Sequence, residues 1–492
     1  MTATVGKMNQ IDSLLDDAAM SEVEGLPENA LALAWRALDL APADLRAKGL
    51  VARLLRRNPD LASAERRADL ERLLRDPDID PDAIASAGWS LLLAQGRLAL
   101  NGDPRAMTAA LANDPLALAL LTEAGVFTLD AEKALTEVRR WLLLSGEWAN
   151  HPRLAQAFMS QTARNGGAWL FNANEGAVLQ QSPALPFAAA YHREHRPLPP
   201  GGRFDDAVTQ TVANQYVRWP YPVWSRLTAP QATTVPREVE KLDGGRSSDL
   251  PVEADVLVAG CGTGYEAALL ARRFPDARVT AIDVSQVSLD YAVRRCAGLD
   301  VDFRLLDLHE AARLGRRFDL IACSGVLHHL PNPEAGWAKL VEVLKPGGVM
   351  QVMVYSRVGR LPVKAARTYI ADLRHQPVDE DLLREVRRRL IEKASKFVAG
   401  SFDFYSLDGV HDLLLNRHED PFDVPRIVRA FDQLGLELLA FELPTAADRK
   451  RYCREHPEDP QFRDVNAWAA LEKVQPLLFS RMYKFWCRRA AT

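Results

Sequence analysis

The sequence contains no uninterrupted apolar run long enough to cross a lipid bilayer, and its first residues lack the charged-then-apolar pattern of a secretion signal. It also lacks an excess of positive charge, because 61 Lys and Arg residues stand against 65 Asp and Glu residues, a net charge of −4. Duplex nucleic acid and anionic membranes attract basic surfaces. We therefore expect a cytoplasmic protein that binds neither nucleic acid nor membrane.

Cysteine is scarce, and no two cysteines have the C-x-x-C spacing of a zinc or redox site. The five cysteines are Cys261, Cys296, Cys323, Cys453 and Cys487. Neither a disulfide framework nor a metal site is expected, and a reducing compartment is favoured. The 492 residues are enough for about two to four domains with a substantial core.

Glycine, by contrast, is concentrated at one place in the middle of the chain. A short apolar run, Val256–Ala259, is followed by Gly260, Gly262 and Gly264, and an amphipathic stretch, Glu266–Phe274, comes next. This pattern predicts a strand, a tight turn and a helix. Glycine permits positive φ and leaves no Cβ between the backbone and a ligand, and the start of a helix offers unpaired N–H groups to an anion.

The glycine spacing distinguishes between ligand classes. The dinucleotide fingerprint G-x-G-x-x-G would require Gly or Ala at position 265, where this chain has Tyr265. A nicotinamide-dependent oxidoreductase is therefore disfavoured. On this motif alone, a glycine-rich turn without any ligand remains an alternative, because short motifs often match by chance.

Four further apolar segments follow the glycine turn and are separated by helical patterns. The predicted strands are Arg278–Asp283, Val301–Leu305, Phe318–Cys323 and Val349–Tyr355. Strands of this composition that alternate with helices predict a parallel sheet covered on both faces. Ligands of such sheets bind beyond the carboxyl ends of the strands, where the strand order reverses.

Polar residues follow these strands at their carboxyl ends, namely Asp283, Asp307 and Ser324. Asp283 lies nineteen residues after Gly264, which suits a carboxylate that bonds a ribose diol beside the glycine turn. The alternative is a helix cap formed by Asp283 or Ser285. Both roles are compatible if Ser285 caps the helix and Asp283 binds the ligand.

Five stretches of the sequence together resemble the class I S-adenosylmethionine-dependent methyltransferases. They are Val256-Leu-Val-Ala-Gly-Cys-Gly-Thr-Gly264, Ala281-Ile-Asp-Val-Ser285, Leu305-Leu-Asp-Leu308, Phe318-Asp-Leu-Ile-Ala-Cys-Ser-Gly-Val-Leu-His-His-Leu330 and Leu344-Lys-Pro-Gly-Gly348. Any one of them would be a weak signal, but their order and spacing over about a hundred residues are specific. The resemblance implies a Rossmann-like α/β fold with a seven-stranded sheet whose final strand is antiparallel.

The resemblance also implies the cofactor S-adenosyl-L-methionine and residues that hold it. The glycine turn would hold the methionine end, Asp283 would bond the ribose hydroxyls, and Ser324 would lie near the sulfonium. Asp307 and Leu308 would flank the adenine. The complete predicted cofactor set is Gly260, Cys261, Gly262, Gly264, Asp283, Val284, Asp307, Leu308 and Ser324.

Methyl transfer asks little of protein side chains, because the sulfonium already makes the methyl group electrophilic. A base assists if the nucleophile carries a proton near neutral pH. His328 follows the fourth strand and is the candidate base. A structural role for His328 or its neighbour His329 is the alternative.

The first 195 residues read as consecutive helices. Pro42, Pro77 and Pro115 follow similar helical segments at spacings of 35 and 38 residues, close to the tetratricopeptide period. A helical domain without repeats is the alternative. Stacked helix pairs leave a concave face suited to a peptide, so a protein partner, or a protein as methyl acceptor, is a hypothesis for this region.

Between the helices and the first strand lie a turn signal, Pro197-Leu-Pro-Pro-Gly-Gly202, and an aromatic cluster, Trp219-Pro-Tyr-Pro-Val-Trp224. The cluster resembles an element that precedes the core in bacterial helical-repeat methyltransferases. It is either an aromatic wall over the ligands or a strap held by buried rings. The predicted segments are a helical domain over 1–195, the strap over 196–250, the core over 251–356, a helical insertion over 357–423 and the end of the sheet over 424–492.

The insertion follows the fifth strand, at the ligand edge, and is therefore a candidate lid. Within it, His411 and Asp412 are either acceptor-orienting residues or part of a capped surface turn. The sequence as a whole predicts an enzyme that transfers a methyl group to an N, O, S or C nucleophile of a small molecule or protein. The rival hypothesis is a non-catalytic S-adenosylmethionine-binding protein whose helical domain recruits protein partners.

Overall fold

The computed structural model describes residues 2–181, 207–245, 248–393, 400–443, 446–459, 462–476, 478–479 and 482–490. The chain divides into two compact units. One comprises Met1–Pro197, Val223–Ala229 and Ala365–Leu415, and the other comprises Leu198–Pro222, Pro230–Lys364 and Asn416–Thr492. The turn predicted at residues 197–202 lies outside the described residues.

Up to residue 181, the described part of the first unit contains ten α-helices. They are α1 (Thr2–Val23), α2 (Pro27–Leu40), α3 (Leu45–Arg57), α4 (Arg67–Arg75), α5 (Asp82–Ala94), α6 (Pro104–Ala112), α7 (Pro115–Glu123), α8 (Leu129–Ser145), α9 (Pro152–Arg164) and α10 (Ala173–Gln181). The side chains of Asp44, Asp103 and Asp114 accept backbone N–H groups at the starts of α3, α6 and α7. These caps satisfy N–H groups that have no partner inside a helix.

The three prolines that suggested a repeat have different positions in these helices. α2 and α4 each end two residues before their proline, Pro42 and Pro77. Pro115 is instead the first residue of α7, a position that proline favours because its missing N–H would be unpaired there. The tetratricopeptide identity of these helices stays a prediction.

The second unit contains a seven-stranded sheet. Its strands are β1 (Asp255–Ala259), β2 (Arg278–Asp283), β3 (Val301–Leu305), β4 (Phe318–Ser324), β5 (Leu344–Tyr355), β6 (Leu436–Phe441) and β7 (Met482–Arg489). Their order is β3-β2-β1-β4-β5-β7-β6, with β7 antiparallel to both β5 and β6. The predicted fold class, a Rossmann-like seven-stranded sheet with a helical region before it, is confirmed.

The strand bounds differ from the prediction by one residue at β1 and β4, and by more at β5 and β7. β5 begins at Leu344 rather than at Val349, so it includes the Lys-Pro-Gly-Gly stretch, and its register with β4 is irregular at Phe318. The apolar run Leu478–Trp486 predicts the last strand of the sheet, but β7 spans Met482–Arg489. Hydrophobic runs locate strands well, but a strand's ends depend on which partner residues continue the hydrogen-bonded ladder.

The described residues after position 206 contain eleven further α-helices. They are α11 (Ala207–Arg218), α12 (Val235–Leu242), α13 (Tyr265–Arg273), α14 (Gln286–Arg295), α15 (Pro333–Glu342), α16 (Leu361–Thr368), α17 (Glu380–Glu392), α18 (Leu407–Val410), α19 (Val424–Leu434), α20 (Ala446–Glu455) and α21 (Val465–Val474). Separate buried clusters lie on the two faces of the sheet, one containing Ile321 and Phe485 and the other Val258 and Ala322. The sheet is therefore covered on both sides, as its apolar strands predict.

The central part of the insertion folds with the helical unit. Arg387 of α17 is fully buried and donates from Nη2 to both carboxylate oxygens of Glu132 in α8, at 2.7 and 2.8 Å. It also donates from Nε to the Phe404 carbonyl at 2.7 Å, and Arg384 donates to the Gly167 carbonyl at 2.8 Å. The lid role of residues 357–423 stays a prediction.

Candidate functional site

The glycine turn that follows β1 has a backbone that other residues adopt only with strain. Gly260, Gly262 and Gly264 have φ angles of 74°, 51° and 85°. A Cβ on Gly264 would lie 2.7 Å from the Cβ of Ala292 in α14, and one on Gly262 would lie 2.9 Å from the Tyr221 carbonyl oxygen. The turn therefore needs glycine both for its conformation and for close packing.

Asp283, at the end of β2, is bonded directly to the glycine turn. The Gly262 N–H donates to Asp283 Oδ2 at 2.7 Å, and the Ser285 N–H donates to Oδ1 at 2.9 Å. The N–H groups of Gly260 and Cys261 both donate to the Ile282 carbonyl, at 2.8 and 2.9 Å. The structure thus brings together the two features that the sequence placed nineteen residues apart.

The Asp283 side chain is half-buried at the end of β2. Burial raises its pKa, and the backbone N–H groups of Ser285, Gly262 and Val284 act against that rise. An ionised carboxylate has about four acceptor sites, so capacity remains for a hydroxyl donor. This chemistry fits a ribose diol.

Ser285, not Asp283, caps the following helix. Its hydroxyl oxygen accepts the Ser288 N–H at 3.2 Å at the start of α14. The predicted division of labour between the two residues is confirmed for Ser285. The Asp283 side chain remains directed to the glycine turn.

Asp307 follows β3 and has a local structural role. The Leu306 N–H donates to the Asp283 carbonyl at 3.0 Å, which sets this segment beside β2. Asp307 Oδ1 accepts the His309 N–H at 2.9 Å and caps the short 3₁₀ helix Leu308–Leu314. Leu308 is buried. The predicted contacts of Asp307, Leu308 and Val284 with the cofactor stay predictions.

Ser324, the last residue of β4, contacts a residue that sequence reasoning did not select. Its hydroxyl donates to Glu266 Oε1 at 2.7 Å. Glu266 lies in the first turn of α13, directly after the glycine turn, and burial raises its pKa. The signal in the sequence was that Glu266 is an acid at the start of the helix that follows the glycine turn. The simpler interpretation of this pattern was a solvent-exposed residue on the polar face of an amphipathic helix.

His328 is entirely buried in a short 3₁₀ turn after β4. Its ring lies 3.8 Å from the Tyr355 ring, between centroids, and its Nδ1 accepts the Tyr355 N–H at 3.2 Å. Burial holds the pKa of His328 well below its usual value, and His329 and Arg360 act in the same direction. The ring is therefore neutral, with its proton on Nε2, and its role as a base stays a prediction.

His329 joins this turn to the segment that returns from the insertion. Its Nδ1 lies 2.8 Å from the His418 carbonyl, and His418 Nε2 lies 2.9 Å from the Leu330 carbonyl. The Asp420 N–H donates to the His328 carbonyl at 2.7 Å. These contacts give both histidine positions a structural function.

The aromatic strap crosses the glycine turn with its backbone. The Thr263 hydroxyl donates to the Pro222 carbonyl, and the Tyr221 carbonyl lies against Gly262. Trp219 is 2% exposed, which favours packing for that ring. Tyr221 is only partly buried, so a ligand-facing role for it stays a prediction.

His411 and Asp412 belong to the helical unit and do not form a surface turn. They are 4% and 6% exposed and lie in the π-helical segment His411–Leu415. The surface-turn interpretation is wrong because both side chains are buried. Their role toward an acceptor stays a prediction.

Two features are absent from the part of the chain that the structure describes. In those residues, no group of three or more His, Cys, Asp or Glu side chains is arranged to hold a metal ion. Within the same residues, no helix combines the length and the apolar character needed to span a bilayer.

Comparison with known proteins adds to this geometry. Residues 256–348 match the model of a family described as a methyltransferase domain. An uncharacterised protein of Synechococcus is 36% identical over 174 residues, which cover 34% of this chain and 42% of that protein. A malonyl-[acyl-carrier protein] O-methyltransferase of Acetivibrio thermocellus is 33% identical over 138 residues, covering 28% of this chain and 46% of that enzyme.

Among solved structures, PKMT2 from Rickettsia typhi in complex with AdoHcy is similar at 15% identity and a TM-score of 0.41, with 55% of each chain covered. The chain spans less than half the length of the two curated relatives named above. The family match, the glycine turn and the sheet order agree on the part of the chain that they describe. Residues 256–348 are a methyltransferase domain of class I, whose cofactor is S-adenosyl-L-methionine.

Proposed function

We propose that the whole chain is an S-adenosylmethionine-dependent methyltransferase acting on an N, O, S or C nucleophile of a small molecule or protein. The observation that carries the proposal is the 2.7 Å hydrogen bond from the Gly262 N–H to Asp283 Oδ2. It fixes the ribose-binding carboxylate against the turn whose backbone would hold the methionine end. A sheet of this order binds its ligand where these two features meet.

The bound cofactor supplies an electrophilic methyl group on its sulfonium. The protein's own contribution is to hold the cofactor and acceptor in line, and positioning of this kind supplies about 7–11 kcal/mol. Asp283 would bond the ribose hydroxyls, and the turn from Gly260 to Gly264 would admit the methionine end close to the backbone. Asp307 and Leu308 would flank the adenine, and Ser324 would lie near the sulfonium.

The strap supports the exclusion of water from this site. Its backbone already contacts the glycine turn through Thr263 and Gly262. Because these contacts already fix the segment, it does not have to become ordered when the ligand binds. A site from which water is excluded strengthens polar contacts to the cofactor.

The acceptor is tested by transfer of a labelled methyl group. We expect the protein, incubated with methyl-labelled S-adenosylmethionine and a fractionated lysate, to label one of the protein, lipid or small-molecule fractions. Asp283→Ala should abolish most of that labelling, while Asp290→Ala, an acid in α14 that contacts Gln286, should not.

The outcome also separates the proposal from its rival. Saturable cofactor binding with no labelled fraction would favour a non-catalytic binding protein whose helical unit recruits partners. Absence of binding to S-adenosylmethionine or S-adenosylhomocysteine would refute both. Label found in protein would support the helical unit as the place where a protein acceptor docks.

A further inference from the structure

We propose that Glu266 is the counter-ion for the α-ammonium group of the cofactor. The inference rests on the proposed function, because it assigns the charged end of the same cofactor to a residue of this chain. It concerns ligand binding and needs no chemical step.

Glu266 lies where the strand order of the sheet reverses, between β1 and β4. It is the second residue of α13, immediately after the glycine turn that ends β1. Its Oε1 accepts the hydroxyl of Ser324, which ends β4, at 2.7 Å. β1 and β4 are neighbours in the sheet, and the strand order reverses between them, so the carboxylate bridges the two strand ends between which ligands enter.

Glu266 lies on the opposite side of the glycine turn from the ribose site. Asp283 is on β2, which pairs with the other edge of β1. A cofactor whose ribose is bonded to Asp283 and whose chain crosses the glycine turn therefore carries its amino-acid end toward β4. That end bears a primary ammonium group, and Glu266 is the acid beside it.

The carboxylate has no ion-pair partner within the described residues. Burial raises the pKa of Glu266, Ser324 and Lys484 act against that rise, and Glu442 adds to it. Lys484 is itself paired with Glu442, at 2.8 Å. Glu266 is half-buried, an acid withdrawn from water without a cation is costly, and an arriving ammonium group reduces that cost.

Glu442 provides a matched comparison on the same face of the sheet. Its side chain is 36% exposed, and it already bonds to Lys484, to Trp486 Nε1 at 2.7 Å and to Gln351 Nε2 at 3.0 Å. Its charge is thus satisfied by the protein. Of these two glutamates, Glu266 is the one that follows the glycine turn and has no ion pair among the described residues.

The test measures binding of two ligands by calorimetry. The ligands are S-adenosylhomocysteine and the analogue of it that lacks the α-amino group. For Glu266→Gln we expect a loss of about 10- to 100-fold in affinity for S-adenosylhomocysteine, the range for a charge-assisted hydrogen bond, and a loss below about threefold for the deaminated analogue. Glu266→Asp should keep part of the affinity for S-adenosylhomocysteine, because it retains the charge on a shorter side chain.

Glu442→Gln is the control and should bind both ligands as the wild type does. Thermal unfolding without ligand shows whether each variant is folded. If Glu266→Gln does not fold, the wild type alone still gives a test: its affinity for S-adenosylhomocysteine is compared with its affinity for the deaminated analogue. Equal losses for both ligands, or no wild-type preference between them, would overturn the assignment. If the wild type binds neither ligand, the proposed function itself fails, which is a different result.

Discussion

Asp283 has two roles, because it accepts hydrogen bonds from the backbone around the glycine turn and is the proposed ligand of the ribose. Its two carboxylate oxygens accept the Gly262 and Ser285 N–H groups. Asp283→Asn replaces one of these oxygens by an NH₂ group, which would then face a backbone N–H donor instead of accepting from it. We expect S-adenosylhomocysteine to bind about 10- to 100-fold more weakly, since a hydrogen bond to a charged group is worth about 1.5–3 kcal/mol. Titration calorimetry measures this, with Asp290→Asn as the matched control.

The same carboxylate gives a prediction for pH. Burial raises the pKa of Asp283 in the native protein, whereas the unfolded value is about 3.9. Below that pH both states are protonated and the stability contribution is fully present. This contribution to the free energy of unfolding is lost as the pH rises through the raised native pKa of Asp283. The reason is that the unfolded state releases the proton more readily than the native state does.

We therefore expect the difference in free energy of unfolding between the ligand-free wild type and Asp283→Asn to fall from about pH 4 upward. It should become constant above the native pKa of Asp283. Urea unfolding at a series of pH values measures this difference, and acids common to both proteins cancel from it. A difference that grows with pH would show that this carboxylate is compensated by a charge.

At the scale of single elements, the sequence predicted most of the sheet. The runs at β2 and β3 coincide with the observed strands, and the helix after the glycine turn begins within one residue of its predicted start. These elements are fixed by local patterns: apolar runs bounded by turn residues, and apolar positions at helical spacing. The start of β5 was missed because proline and glycine suggest a break, while pairing with β4 extends the strand.

The candidate site was predictable only in part. Their places at strand ends pointed to Asp283 and Ser324, which contact Gly262 and Glu266 in the structure. Their contacts with the cofactor stay predictions. Glu266 was missed because a helix pattern does not show which side chain turns back to a neighbouring strand. The burial of His411 and Asp412 could not be read from sequence either, because it depends on residues far away in the chain.

The buried pair of Glu132 and Arg387 shows how long-range contacts hold the insertion. The two residues are 255 positions apart, and their side chains are 6% and 0% exposed. We expect Glu132→Gln to lower the stability of the helical unit by about 3–5 kcal/mol, because it leaves a buried guanidinium without its anion. Chemical unfolding followed by tryptophan fluorescence measures the change.

Glu137→Gln in the same helix is the control. Glu137 pairs with Arg140 at the surface, with a side chain that is 49% exposed, and such pairs contribute about 1 kcal/mol or less. Similar effects of the two substitutions would mean that the Glu132–Arg387 pair does not hold the insertion in place.

At the scale of the whole molecule, the two units are interleaved along the chain. Ala365–Leu415, which folds with the helical unit, lies in sequence between β5 and β6 of the sheet. Removal of the N-terminal helices would therefore not leave the sheet unit without part of the helical unit attached to it. The retained insertion would lose Glu132 and the Gly167 and Ala168 carbonyls, which accept from Arg384 and Arg387.

We predict that a chain lacking residues 1–181 aggregates or binds a hydrophobic dye, because two arginines and the apolar surface around them lose their partners. A second truncated chain, in which residues 365–415 are also replaced by a Gly/Ser linker, should be more soluble, since it no longer carries that surface. Size-exclusion chromatography and dye fluorescence compare the two. Equal solubility of both chains would show that the insertion folds without the N-terminal helices, and the arginine contacts would then be a consequence of packing and not its cause.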